Sequence, residues 1–171
     1  MATTYTLISS NVLTGTAASV TFSAIPATYT DLVLKMSARD SSNGSVIVAV
    51  NTTYNGLSTS IYSNTYLRGN GTAASSSRVS NNVSYDIDYL NGSTSTADTF
   101  GSAEMYIPSY TVSQSKPIST FTAQENNNTQ GFITGIAGLY RDNAAISSIT
   151  IAAATTFAST SSFYLYGISN A

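Results

Sequence analysis

In many short segments of this chain, apolar side chains recur at every second position. No long segment repeats them at the 3.6-residue spacing of a helix. The clearest example is the segment 83–89, where the alternating apolar residues are Val83, Tyr85, Ile87 and Tyr89. Alternation with a period of two is typical of a strand that buries one face and exposes the other. The sequence therefore predicts a protein built from strands.

Short candidate strands follow one another along the chain, separated by turn residues. The candidate segments are 5–8, 19–25, 31–38, 45–50, 83–89, 99–107, 116–123, 131–140, 147–153 and 162–168, and the loop-like middle of the chain also holds a short segment, 65–68. Nine or ten short strands with frequent turns are typical of a β-sandwich or jelly roll. We predict an all-β, antiparallel, jelly-roll-like sandwich in which residues 1–171 form a single domain.

Two local predictions are more specific. The turn signal Asn43-Gly44 lies between the strands 31–38 and 45–50, and such a dipeptide favours a β-hairpin between them. The segment 131–140 carries bulky residues at both odd and even positions, which predicts a central strand covered on both faces. By contrast, the segments 51–63, 69–82 and 91–98 have the composition of loops.

Composition argues against catalysis. The 171 residues include no histidine and no cysteine, and only 6 basic and 8 acidic side chains. A serine nucleophile would therefore need Lys35 or Lys116 as its base, and that lysine would have to be desolvated beside the serine. Without cysteine there is no disulfide, so stability must come from packing, strand pairing or assembly. We predict no enzyme activity, no cofactor, and no catalytic, cofactor-binding or metal-binding residue.

Three carboxylates are the nearest approach to a reactive cluster. Asp86 and Asp88 lie two residues apart on one strand face, and Glu104 lies on a later strand that could join them. Such a group could bind a metal ion or act as the carboxylate pair of a sugar-cleaving enzyme. The favoured interpretation is a polar face that keeps an edge or outer strand in solvent.

Tyrosine is the other residue type that allows more than one interpretation. Tyr62, Tyr66, Tyr85 and Tyr89 fall in the middle of the chain. They are interpreted as core or subunit-interface residues, because tyrosine buries a ring while its hydroxyl finds a hydrogen-bond partner. A recognition surface on which sugars stack is the alternative.

Charge and hydropathy bear on partners and location. The net charge is −2, and the six basic residues are spread along the chain, so we predict no nucleic-acid partner. No stretch of about 18 consecutive apolar residues predicts a membrane span. The N-terminus lacks a basic segment before an apolar one, which predicts synthesis in a cytoplasm without a secretory signal.

The two ends of the chain hold six more specific blocks, namely 5–10 (YTLISS), 18–26 (ASVTFSAIP), 29–35 (YTDLVLK), 38–39 (AR), 146–151 (ISSITI) and 163–171 (FYLYGISNA). These blocks resemble small jelly-roll-like virion structural proteins of tailed phages, especially phages of cyanobacteria and other marine bacteria. The middle of the chain takes no part in this resemblance.

The resemblance implies a non-enzymatic protein on a virion, made in the host cytoplasm. Its expected role is a capsid decoration or cement protein that stabilises the head shell, with the major capsid protein or other virion proteins as partners. The resemblance also implies a homo-oligomer, with a trimer favoured. The alternative is a receptor-binding or carbohydrate-binding head of a tail fibre or capsid appendage, which would use the tyrosines and the segments 51–82 and 91–98.

Overall fold

The computed structural model describes residues 4–127 and 129–169, and these form twelve strands. In chain order the strands are β1 (Tyr5–Val12), β2 (Ala17–Phe22), β3 (Asp31–Ala38), β4 (Ile47–Tyr54), β5 (Tyr62–Gly69), β6 (Ala74–Asn82), β7 (Tyr85–Asn91), β8 (Gly101–Ile107), β9 (Lys116–Gln124), β10 (Phe132–Tyr140), β11 (Ile149–Phe157) and β12 (Ser162–Ile168). The sequence also predicts a turn at Asn126-Asn127-Asn128, of which Asn128 lies outside the described residues.

The strands form two antiparallel sheets. The large sheet has the order β1-β12-β3-β8-β9-β10-β5-β6, and the small sheet has the order β2-β11-β4-β7. The chain passes repeatedly from one sheet to the other, as in jelly-roll-like sandwiches. The predicted all-β, antiparallel sandwich is therefore confirmed. Within the described residues no helix has the length and hydropathy of a membrane span.

The core lies between the sheets, where one face of most strands is buried. On β3 the buried inward residues are Leu32, Leu34 and Met36, while Lys35 points outward into solvent. Burying a side chain of this size contributes about 1.5–3 kcal/mol. The period-two pattern of the sequence therefore becomes the division between the core and the outer faces.

The predicted hairpin between β3 and β4 is wrong. Strand β3 pairs with β12 and β8 in the large sheet, whereas β4 pairs with β11 and β7 in the small sheet. The turn between them is held by the buried carboxylate of Asp40, which accepts hydrogen bonds from the backbone N–H groups of Ser42 and Asn43, both at 2.8 Å. Thr155 also donates to this carboxylate, so the turn is tied to β11 and crosses between sheets.

The alternation predicted for 83–89 breaks in the middle of β7. The register against β4 shifts between Val50 and Asn51, and Asp88 has a φ of 76°. A bulge of this kind places an extra residue in one strand and re-aims the side chains beyond it. As a result Asp88 is buried and Tyr89 is half-buried, so Asp88 does not belong to an exposed polar face.

Two other segments also differ from prediction. Residues 74–82, expected to be a loop, form β6, whose serine-rich sequence carries no apolar alternation. Strand β10 is central, between β9 and β5, as predicted. However, only its inner face is covered within this chain, since Ile133 on the outer face is 54% exposed.

Candidate functional site

The three candidate carboxylates are not brought together. Asp86 and Asp88 lie on β7 at the edge of the small sheet. Glu104 lies on the outer face of the large sheet, where it pairs with Lys35 at 2.8 Å. Among the residues described, no group of three acidic, histidine or cysteine side chains could hold a metal ion. The three candidate carboxylates therefore do not form one cluster.

Asp88 instead forms an ion pair with Arg68 between the sheets. Arg68 Nε donates to Asp88 Oδ2 at 2.8 Å, Nη2 donates to Oδ1, and Thr134 Oγ1 donates to Oδ2 at 2.5 Å. The guanidinium carbon lies 4.5 Å from the ring centres of both Tyr66 and Tyr89. The guanidinium group of Arg68 therefore lies in a pocket that aromatic side chains of the same chain form.

Asp86 sits beside this pair in a less favourable setting. Burial raises the pKa of Asp86 above its ordinary value, and the neighbouring carboxylate of Asp88 adds to the shift. The backbone N–H of Asp88, which donates to Asp86 Oδ1 at 2.8 Å, opposes it. Asp86 therefore ionises at a cost to the folded state.

The four tyrosines considered as a stacking platform divide into two pairs. Tyr62 and Tyr85 are fully buried, whereas Tyr66 and Tyr89 lie against Arg68. The Tyr62 hydroxyl donates to the carbonyl of Leu57 at 2.7 Å, and the Tyr85 hydroxyl lies 2.8 Å from that of Thr120. Burial raises the pKa of both Tyr62 and Tyr85. These rings belong to the core and its polar contacts.

Both candidate lysine bases have other partners. Lys116 is buried, and its ammonium group donates to the backbone carbonyls of Asp142 at 3.0 Å and Ala144 at 2.6 Å. Burial lowers the pKa of Lys116. Lys35 binds Glu104, and that hydrogen bond raises the pKa of Lys35. Each lysine therefore supports structure at its position.

The segment 91–98, expected to be a free loop, is fixed by Arg39. Its guanidinium donates to four backbone carbonyls along this loop and just beyond it, those of Ser93, Ser95, Thr96 and Thr99, at 2.6–3.1 Å. A planar guanidinium can donate five hydrogen bonds in fixed directions, which suits it to organise a loop. This end of the sandwich is pre-organised.

The most exposed strand is β6, the second strand of the hairpin β5–β6. It is exposed along residues 74–81, and among the strands of the described residues it pairs with β5 alone, which leaves one of its edges free. The strand is nine residues long and carries one charge, that of Arg78. A free edge of this length presents unpaired N–H and C=O groups to another chain.

A groove of about 450 Å³ lies at the end of this hairpin. The residues that line it include the polar Asn70, Gln124 and Glu125, of which Gln124 is buried, and the apolar Phe132 and Ile133. Amides, a carboxylate and an aromatic ring are the groups that bind sugars in proteins, by hydrogen bonds to hydroxyls and by stacking.

The outer face of the large sheet holds a row that the sequence analysis missed. Tyr164, Lys35, Glu104 and Phe121 lie opposite one another on the adjacent strands β12, β3, β8 and β9. The four residues are far apart in sequence, so only the strand order brings them together. Phe121 is 53% exposed, between two buried threonines of β9.

Comparisons of the chain with protein-family models, with curated proteins and with solved structures find no match.

Proposed function

We propose that this chain is a non-enzymatic structural protein of a phage virion, namely a decoration or cement protein that stabilises the capsid shell. Its partners would be the major capsid protein or other virion proteins, and copies of itself in a homo-oligomer for which the terminal resemblance favours a trimer. A non-enzymatic role is supported by the contacts of the charged side chains. Asp88, Lys116 and Arg39 each bind other groups of the same chain and so stabilise the fold.

The observation that carries the proposal is the exposed strand β6. A strand that buries almost nothing in its own chain contributes little to its own core. Its free edge, with a single charge, is suited to extension by a strand of a neighbouring virion protein. Natural proteins usually protect such edges with charges, prolines or covering loops.

Mass action explains how binding would stabilise the shell. A protein that binds the assembled, expanded shell and not its dissociated subunits stabilises the shell in proportion to RT ln(1 + [L]/Kd). Because few surface charges take part, this binding would change little with ionic strength.

Immuno-electron microscopy of intact virions tests the location. Label over the icosahedral faces of the head is the expected result, and label confined to the tail would contradict a cement role.

A binding assay with expanded shells of the phage that encodes the chain tests the surface. Lysine on an edge strand opposes strand addition. We therefore expect Ser77→Lys and Val79→Lys on β6 to weaken binding at least tenfold. Ser9→Lys on β1, the opposite edge of the sheet, is the matched control and should bind like the wild type. Equal loss from both edges would contradict a docking role for β6.

The groove beside the hairpin favours a second candidate, a carbohydrate-binding head of a tail fibre or capsid appendage. The supporting feature is the pair of exposed polar residues Asn70 and Glu125 in a groove that the partly exposed Phe132 also lines. Binding of host surface glycans, measured by calorimetry, tests it. Loss of binding in Glu125→Gln, with no loss in the exposed control Asp98→Asn, would support this candidate, and absence of glycan binding in the wild type would remove it.

A further inference from the structure

The outer face of the large sheet is unusually poor in charge. The part of this face that begins at the β1 edge is made of six adjacent strands, in the order β1-β12-β3-β8-β9-β10. Among the outward-facing side chains of these strands, the exposed charges are those of Lys35 and Glu104. Apart from the buried carboxylate of Asp31, the remainder are aromatic, aliphatic or small, and the most exposed large apolar residues among them are Leu7, Val12, Phe121 and Ile133, each about half exposed. The exposed face of an antiparallel sheet is usually polar along its length.

The charges and rings of this face follow a symmetric order. Across four neighbouring strands the row reads Tyr164, Lys35, Glu104, Phe121, that is, aromatic, positive, negative, aromatic. The side chains of Lys35 and Glu104 are 49% and 52% exposed, so both remain able to bind a further charge. A row of this kind is complementary to itself when it is turned over about a line between β3 and β8.

We propose that this face binds a second copy of the chain, with a two-fold axis parallel to the strands and between β3 and β8. Such an axis places Lys35 of each copy over Glu104 of the other, and Tyr164 of each over Phe121 of the other. The two ion pairs become a ring of four alternating charges in which every charge has two opposite neighbours. An isologous contact of this type is the commonest symmetry of protein dimers.

The neighbouring positions fit the same operation. Gly135 on β10 lies beside Phe121, and no atom lies within 4 Å of the place where its Cβ would be. The axis brings β1 of the second copy over β10, so the small Ser10 of β1 meets this open space. One residue pair further along, Tyr166 of β12 falls over the small Ser119 of β9. Large residues therefore meet small or flat ones.

The area of the contact suits a stable dimer. Six strands spaced about 4.8 Å apart, each about seven residues long at about 3.3 Å per residue, cover about 650 Å². Two such faces bury about 1,300 Å² in total, within the range of specific protein–protein interfaces. The contact also accounts for the bulk on both faces of β10, because the second copy covers Ile133, which the single chain leaves exposed.

A virion protein of different sequence is the other possible occupant, and the self-complementary order of charges favours a second copy over it. Self-association through this face is a property of the isolated chain. It can therefore hold or fail independently of shell binding through β6.

Charge-reversed variants test the two-fold contact by sedimentation equilibrium. The wild type should form a dimer or, where the trimer of the proposed function is also present, a pair of trimers related by two-fold axes, at micromolar concentrations. Lys35→Glu and Glu104→Lys each place like charges across the axis, so each variant alone should dissociate at least tenfold more readily. An equimolar mixture of the two variants pairs opposite charges across the axis and should recover association. A wild type that stays monomeric at 100 µM, or a mixture that dissociates like its components, would overturn the proposal.

The apolar part of the face is tested in the same experiment. Phe121→Ser should weaken association at least tenfold, whereas Val112→Ser, at a similarly exposed valine outside the sheets, should leave it unchanged. Circular dichroism confirms that each variant is folded. Equal effects of the two substitutions would overturn the proposal. So would a monomeric wild type whose binding to expanded shells is lost in Phe121→Ser, because the occupant would then be a capsid protein.

Discussion

The molecule has an ion pair on each side of its large sheet, and the two pairs are built differently. Between the sheets, the side chains of Arg68 and Asp88 are 15% and 3% exposed, and aromatic rings and Thr134 complete their surroundings. On the outer face, Lys35 and Glu104 are about half exposed and bind each other alone. The inner pair is part of the fold, whereas the outer pair keeps capacity for a partner.

The largest effect is expected at the inner pair. Asp88→Asn removes the charge that compensates Arg68 while keeping a residue type that tolerates positive φ. Breaking one side of a buried pair leaves an uncompensated charge, so the free energy of unfolding should fall by about 3 kcal/mol. Urea denaturation of the two proteins at neutral pH measures this. A loss below about 1 kcal/mol would mean that the inner pair is no more structural than an exposed one.

The next largest effect on stability is expected when substitutions on the two faces of strand β10 are compared. On β10, a Cβ at Gly138 would overlap the ring of the buried Tyr85, whereas a Cβ at Gly135 on the outer face would meet open space. We expect Gly138→Ala to cost about 2–3 kcal/mol through overpacking. Gly135→Ala is the matched control and should change stability by less than about 0.5 kcal/mol. Thermal denaturation of both variants distinguishes them, and equal losses would contradict the assignment of faces.

A smaller effect depends on pH. The pKa of Asp86 is raised in the folded state, chiefly by burial, so between its ordinary and its raised pKa the folded protein holds more protons than the unfolded chain. Its contribution to stability is therefore present below the ordinary pKa and is lost as the pH rises through the raised value. The free energy of unfolding of Asp86→Asn should therefore rise relative to that of the wild type as the pH increases from 3.5 to 7. This gain should be smaller than the loss expected for Asp88→Asn. A difference between the two proteins that does not change with pH would contradict this account.

The smallest effect is expected at the outer pair of the monomer. Exposed ion pairs contribute about 0–1 kcal/mol, so Glu104→Gln should lower the free energy of unfolding by less than about 1 kcal/mol in dilute solution. Added salt should reduce that difference further, since exposed charges are screened. A loss comparable with that of Asp88→Asn would remove the distinction between the two pairs.

The sequence predicted the class of fold because the alternation of apolar residues is a local signal that the sandwich preserves. Strands such as β3, with Leu32, Leu34 and Met36 on one face, are buried as expected. Strand β6 was missed because it buries no side chains, and backbone pairing alone leaves no apolar pattern. The hairpin prediction failed because a turn dipeptide does not reveal whether the chain folds back or crosses to the other sheet.

The sites were less predictable for the same physical reason. Asp86 and Asp88 share a face in an ideal strand, but the bulge in β7 re-aims the chain between them. The partner of Asp88 is Arg68, which lies on another sheet. The outer row depends on the order of four strands that are distant in sequence. Long-range pairing determines both arrangements, and no local spacing encodes it.

The contrast between the two ion pairs is tested most directly by a pair of double-mutant cycles on the monomer, measured by urea denaturation in dilute solution. The cycles would combine Arg68→Met with Asp88→Asn, and Lys35→Met with Glu104→Gln. We predict a coupling free energy of about 2–3 kcal/mol for the inner pair and less than about 1 kcal/mol for the outer pair. Equal coupling free energies for the two pairs would contradict the account.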